Sequence, residues 1–150
     1  MTSDMSIFVG ALKKTLHTMA NLEPKTGMFT KGSVCELRAD VSAHLSLISD
    51  QERTLVITLS EGAAIRLVQI IAGLEVSFDD PLVGDTAGEL LNVIAGSAQR
   101  ETRYQFSIPV VAKGKAHEVK VLRGRQLESV ISEIPGGTIA LHLIEHEDRA

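Results

Sequence analysis

Residues 84–102 read GDTAGELLNVIAGSAQRET, and this stretch dictates what the rest of the chain must build. At about 100° per residue, Ala87, Leu90, Leu91, Ile94, Ala95 and Ala98 share one apolar arc of a helix, which has to be buried against a sheet. The opposite arc holds Asp85, Glu89, Asn92, Gly96, Gln99 and Arg103, where an ordinary surface helix would carry Lys, Glu and Arg. Glu89 and Asn92, three residues apart, are neighbours there, and Gly96 lies one turn further on. Glycine inside a helix costs about 1 kcal/mol relative to alanine. On a wet face, close approach of another backbone or a ligand would account for it. Each residue also has a plainer reading. Thr86 to Glu89 fits a capping box, Asn92 fits a tolerated surface residue, and Gly96 fits relief of a crowded helix crossing inside the protein.

The flanking segments supply the sheet. DMSIFVGALKKTLHTMANL (4–22) has helical spacing through Ile7, Ala11, Leu12 and Leu16, with Ser3 or Asp4 as its cap. EPKTGMFTKGS (23–33) breaks it with one proline and two glycines. Three strands are expected in VCELRAD (34–40), AHLSLIS (43–49) and TLVITLS (54–60), with SDQER (49–53) turning between the last two. Ser60 can cap a helix over EGAAIRLVQIIAG that Gly73 would end, and LEVSFDDPLVG (74–84) connects to the motif helix. QFSIPVVAKGKAHEVKVLRG (105–124) reads as a strand pair around a glycine turn. LESVISEI, PGG and TIALHLIEH (127–146) read as a closing hairpin. This order gives an α+β fold (mixed α/β content) in one domain, residues 1–150: an antiparallel-rich sheet with helices packed on one face. No internal repeat is visible.

Composition narrows the function classes. Hydrophobic residues make up 44% of the chain, charged residues 23% and aromatics 3%, which describes an aliphatic core. The formal net charge of −4, a pI of about 5.7 and the lack of any Lys/Arg run argue against a nucleic-acid partner. The N-terminus lacks the apolar core of a signal peptide, and no apolar run approaches the ~18 residues of a membrane span. A soluble, cytoplasmic protein with no membrane partner is expected. Cys35, the one cysteine, allows no intrachain disulfide and reads as a buried, inert thiol on a strand.

GELLNVIAGSAQ (88–99) followed by FSIPVVAKG (106–114) closely resembles the CheX branch of the CheC/CheX/FliY phosphatases of bacterial chemotaxis. In that family an E-x-x-N motif on a surface helix precedes a run of small residues and then a strand with a Pro and a Gly. The likeness extends at pattern level to the N-terminal helix, the strand run with DVSAHLSLI and the helix after LVITLS. One E-x-x-N is present, Glu89 to Asn92, where CheC-type relatives usually carry two. The resemblance implies a CheC-like fold, a homodimer, and hydrolysis of the aspartyl phosphate on the receiver domain of a phosphorylated CheY-like response regulator.

Those residue types suit that chemistry. A receiver supplies its own Mg2+ and lysine around the acyl phosphate, so the hydrolase needs neither nucleophile, metal nor cofactor of its own. It must hold a water in line with the breaking P–O bond. A carboxamide can accept from water and donate toward the phosphoryl group, which is the role expected of Asn92. Glu89 would be repelled by the phosphoryl oxygens unless it paired with the receiver lysine, and that pairing would set the docking register. Asp85, Gly96 and Gln99 are the expected partner contacts, with Gly96 and the small Ser97 allowing close approach.

Two rival readings remain. A non-catalytic CheC-like interaction module in a flagellar or signalling assembly would use the same fold, and exposed, unpaired Glu89 and Asn92 would count against it. His142 and His146 share a strand face near Glu145 and Glu147 and could be metal ligands. No third ligand is fixed by sequence, and a solvated polar face is the favoured reading.

Overall fold

The computed structural model describes residues 1–25, 27–33, 37–121 and 124–147. Among the described residues three helices, α1 (Ser3–Ala20), α2 (Glu61–Ala72) and α3 (Pro81–Thr102), accompany seven strands. These are β1 (Met28–Ser33), β2 (Leu37–Ile48), β3 (Arg53–Leu59), β4 (Gln105–Phe106), β5 (Val110–Val119), β6 (Gly124–Ile134) and β7 (Gly137–His146). All pairings are antiparallel, in the order β1-β6-β7-β3-β2. The outer side of β2 is shared by β4 near one end and β5 along the rest.

Strand alternation sorts the side chains into two environments. Leu55, Ile57 and Leu59 of β3, Val41, Ala43, Leu45 and Leu47 of β2, and Ile139, Leu141 and Leu143 of β7 form one core with the apolar faces of all three helices. On the opposite sheet face, Val56, Val119 and Ile144 form a smaller cluster that includes no helix residue and that Leu37, Ala39, Val121 and Leu127 help to cover. The expected α+β architecture with helices on one face is therefore what the chain adopts.

The expected elements need several corrections. The break at 23–33 contains β1, which pairs with β6 from Met28↔Ile131 to Ser33↔Gln126. All six of its residues are exposed, so it carries no apolar alternation to announce itself. The first two expected strands are one, β2, with a register shift between Ala39 and Val41. The strand pair expected over 105–124 does not form within the described residues 105–121. β5 runs past Gly114 and pairs with β2, with two extra residues bulged out opposite Asp40, where Ala116 takes a positive φ of 48°. Cys35 and the reading made of it lie outside the described residues. The β6–β7 hairpin closes at Ile134↔Gly137 as expected.

Capping also differs in detail. Thr2, not Ser3 or Asp4, caps α1: its hydroxyl accepts from the Met5 N–H at 3.2 Å and donates to Glu128 at 2.7 Å. Ser60 occupies the N-cap of α2, but its Oγ accepts from the Thr138 N–H, and Asp40 accepts from the Glu61 N–H at 2.9 Å instead. Asp40 also accepts from the Ala116 N–H at 2.9 Å, and these two backbone bonds hold its carboxyl below the ordinary Asp value of 3.8. Gly73 ends α2 in the left-handed conformation, φ 69°. No described helix is long and apolar enough to cross a membrane.

Candidate functional site

The motif helix starts earlier than its amphipathic stretch. Asp80 Oδ1 accepts from the Leu82 N–H at 2.9 Å, and Pro81 sits at the first helical position, where its missing N–H costs nothing. Thr86 is thus already inside α3 and cannot be an N-cap, so the Thr86–Glu89 capping box does not form. At the far end Arg103 takes a left-handed φ of 59°, and its N–H bonds the Gln99 carbonyl.

Burial follows the wheel. Ala87, Leu90, Leu91, Ile94, Ala95 and Ala98 are buried together with Val83, and α3 packs on α1, α2, β2 and β5. Asp85, Glu89, Asn92, Gly96, Gln99 and Arg103 are all exposed. Among the described residues, no hydrogen bond or ion pair engages the side chain of Glu89 or Asn92. A carboxylate and a carboxamide therefore stand side by side on a rigid element with their polar atoms uncommitted.

The glycines of α3 divide into two kinds. A Cβ on Gly84 or Gly88 would come within 3.1 or 3.0 Å of the Val111 methyls, so these two glycines let β5 lie close along the helix. Their four-residue spacing on one side of the helix was the sequence signal for that contact, which sequence reasoning missed. Lys113, also on β5, donates to the Asp80 carbonyl at 3.2 Å and lies 5.6 Å above the Phe78 ring, tying the strand to the start of α3. Gly96 differs: a Cβ there would meet only the Phe106 ring, at an ordinary 3.9 Å. Internal crowding does not require this glycine.

The histidines read as candidate ligands are structural. His142 is 3% exposed, with Nε2 2.8 Å from Thr58 Oγ1 and Nδ1 2.6 Å from Ser129 Oγ. A neutral imidazole has one donor and one acceptor, and two hydroxyls satisfy both. The solvated polar face expected for it is therefore wrong: β7 is an interior strand, flanked by β3 and β6, and its ring side is covered. His146 Nε2 lies 2.6 Å from Thr54 Oγ1. Among the described residues, no group of three His, Cys, Asp or Glu side chains is placed to hold a metal ion.

Solved structures share this architecture. A CheC-like superfamily protein from Shewanella sp. PV-4 matches with a TM-score of 0.84 and 24% identity, covering 98% of this chain and 100% of that one. Chemotaxis protein CheX from Vibrio vulnificus matches at 0.85 and 24%, covering 95% and 99%. A structure from Borrelia burgdorferi, a CheX–CheY–BeF3–Mg2+ complex, matches at 0.74 and 19%, covering 97% and 99%. At these identities the likeness establishes the fold. No curated protein matches the sequence. The family model described as chemotaxis phosphatase CheX matches residues 41–132, more than half of the chain and the whole of α3, and on that match this chain belongs to the CheX family.

Proposed function

We propose that the protein hydrolyses the aspartyl phosphate of a CheY-like receiver domain, in the cytoplasm. Asn92 would orient the attacking water and Glu89 would pair with the receiver lysine. The observation that carries this reading is the pair itself, exposed and uncommitted on the face of α3 that internal packing leaves free. The relative from Borrelia burgdorferi in complex with CheY, BeF3 and Mg2+ supports the choice of partner. Asp85, Gly96 and Gln99 would line the contact, with Gly96 giving the receiver backbone room.

No nucleophile or metal is asked of this chain, because an acyl phosphate is already reactive and the receiver contributes Mg2+ and a lysine. The work left is positioning. Glu89→Ala tests the docking half of the scheme. It should weaken binding of a Mg2+–beryllofluoride-loaded receiver and slow turnover together, and a double change with Asn92→Ala should be far from additive. Because no Thr86–Glu89 box exists, Glu89→Ala should leave thermal stability within about 0.5 kcal/mol, as for other exposed sites. Titration of the loaded receiver by calorimetry gives the first result; unchanged affinity would remove Glu89 from the interface.

Assembly follows from the sheet edges. One edge is β4–β5, where Val111 lies against α3; the other is β1, at the far end of the sheet, with all six of its residues exposed. An unpaired edge is a liability that proteins blunt, cover or pair. We propose a homodimer through the β1 edge, which leaves Glu89 and Asn92 free for the receiver. Sedimentation at micromolar concentration should give a dimer, and a monomer there would refute it.

A further inference from the structure

The strand edge beside α3 contains an irregularity. β4 pairs with β2 as Leu47↔Phe106 and Ile48↔Gln105, whereas β5 pairs as His44↔Val110 and Ala43↔Val111. Between the two registers the β4–β5 side holds one residue more than β2 does, which is a β-bulge at Ile108–Pro109 opposite Leu45. The bulge is anchored: the Ser107 N–H donates to the Ser46 carbonyl at 3.0 Å, and the Ser46 N–H donates to Ser107 Oγ at 2.9 Å. Pro109 has no N–H to give to the ladder, which suits an edge strand. Ile108 is 85% exposed, more than any other large apolar residue described.

The helix contacts place this bulge. Phe106 lies against Gly96, and Val111 lies against Gly84 and Gly88. Asn92 is four residues from Gly88 and four from Gly96, and Ile108 lies between Phe106 and Val111. The turn of α3 that carries Asn92 therefore runs alongside Ile108.

We infer that Ile108 is a docking residue for the receiver, aimed outward by the bulge to make an apolar contact beside Asn92. This rests on the proposed phosphatase reading. An extended apolar side chain at the margin of a polar site is covered only when the partner seats, so its burial contributes to affinity. Bulges next to active sites commonly re-aim a side chain in this way. Ile108 would act through affinity, and Asn92 through the chemical step.

The test uses the full chain and a CheY-type receiver. With the receiver saturated by Mg2+ and beryllofluoride, Ile108→Asp should raise Kd about tenfold, while Ile108→Leu should stay within about twofold of wild type. With phosphorylated receiver, Ile108→Asp should raise KM by a similar factor and leave kcat within about twofold, the reverse of the pattern expected for Asn92→Ala. So exposed a position should leave the unfolding midpoint unchanged, which thermal denaturation checks. If wild type binds and dephosphorylates the receiver but Ile108→Asp shows unchanged Kd and KM, this inference fails and the phosphatase reading stands. If wild type binds no CheY-type receiver, both fall.

Discussion

Asn92→Ala should reduce turnover of a phosphorylated receiver roughly a hundredfold while leaving receiver affinity nearly unchanged. Losing one well-aimed polar group that acts in the transition state costs on the order of 3 kcal/mol, and such a loss appears in kcat when binding does not use the group. The substitution is clean. Asn92 is exposed and contacts no described hydrogen-bond partner, so truncation opens no cavity and leaves no orphaned polar atom. Alanine is also the better helix former, so α3 should not loosen. Single-turnover decay of the phosphorylated receiver, measured at saturating protein, separates the chemical step from binding. An unchanged decay rate would remove Asn92 from the mechanism.

The second large effect is on stability against pH, and it comes from His142. Burial lowers its pKa from 6.5 to about 4. The folded value lies below the unfolded one, so the unfolded chain binds the proton more readily. The stability that depends on a neutral ring is present in full above pH 6.5 and is lost as pH falls toward 4. By linkage, this one residue should make the protein on the order of 2 kcal/mol less stable at pH 5 than at pH 7. His44, lowered by desolvation, acts in the same direction, so the comparison has to be between wild type and a His142→Gln variant. Asp40 does not confuse the window, because its carboxyl is depressed below 3.8 and its stabilisation is lost only in stronger acid. Urea unfolding at the two pH values should show a smaller difference for the variant. If His142→Gln fails to fold, NMR titration of wild type should find the His142 ring uncharged down to about pH 5. A ring titrating near 6.5 would contradict the structural role given to it.

What could be read from sequence was what local physics sets. The six apolar residues of α3 announced a buried arc, and Ser60 and Gly73 marked the ends of α2, since helices carry their period and their stop signals in adjacent residues. The β6–β7 hairpin was equally legible from Pro135 and the two glycines. Strand partners were not. β1 is an exposed edge whose only recommendation is its pairing with β6, a hundred residues away in the chain, and the glycine of β5 that looked like a turn, Gly114, sits instead in a register irregularity opposite Asp40. The start of α3 was available in Asp80–Pro81, an N-cap followed by proline at the first helical position. The Thr86–Glu89 spacing imitates a capping box but falls inside the helix.

At the site, the exposed arc of Asp85, Glu89, Asn92, Gly96 and Gln99 was legible because it departs from an ordinary charged face. Two other features were not. The closeness of β5 depends on Gly84 and Gly88 meeting Val111, and the bulge at Ile108 depends on how two strands register on a third. Both are tertiary facts with only faint local traces. His142 is a case of the same kind: it read as part of a solvated polar face, whereas on β7, between β3 and β6, its ring is buried and held by Thr58 and Ser129.

The most direct test of the account is the release of phosphate from a phosphorylated CheY-like receiver with Mg2+ present, when this protein is added in substoichiometric amount. The account predicts accelerated decay with many receivers dephosphorylated per molecule of protein, abolished by Asn92→Ala. Decay at the same rate with and without the protein, from a receiver that demonstrably binds it, would contradict the account and leave the fold as a non-catalytic interaction module.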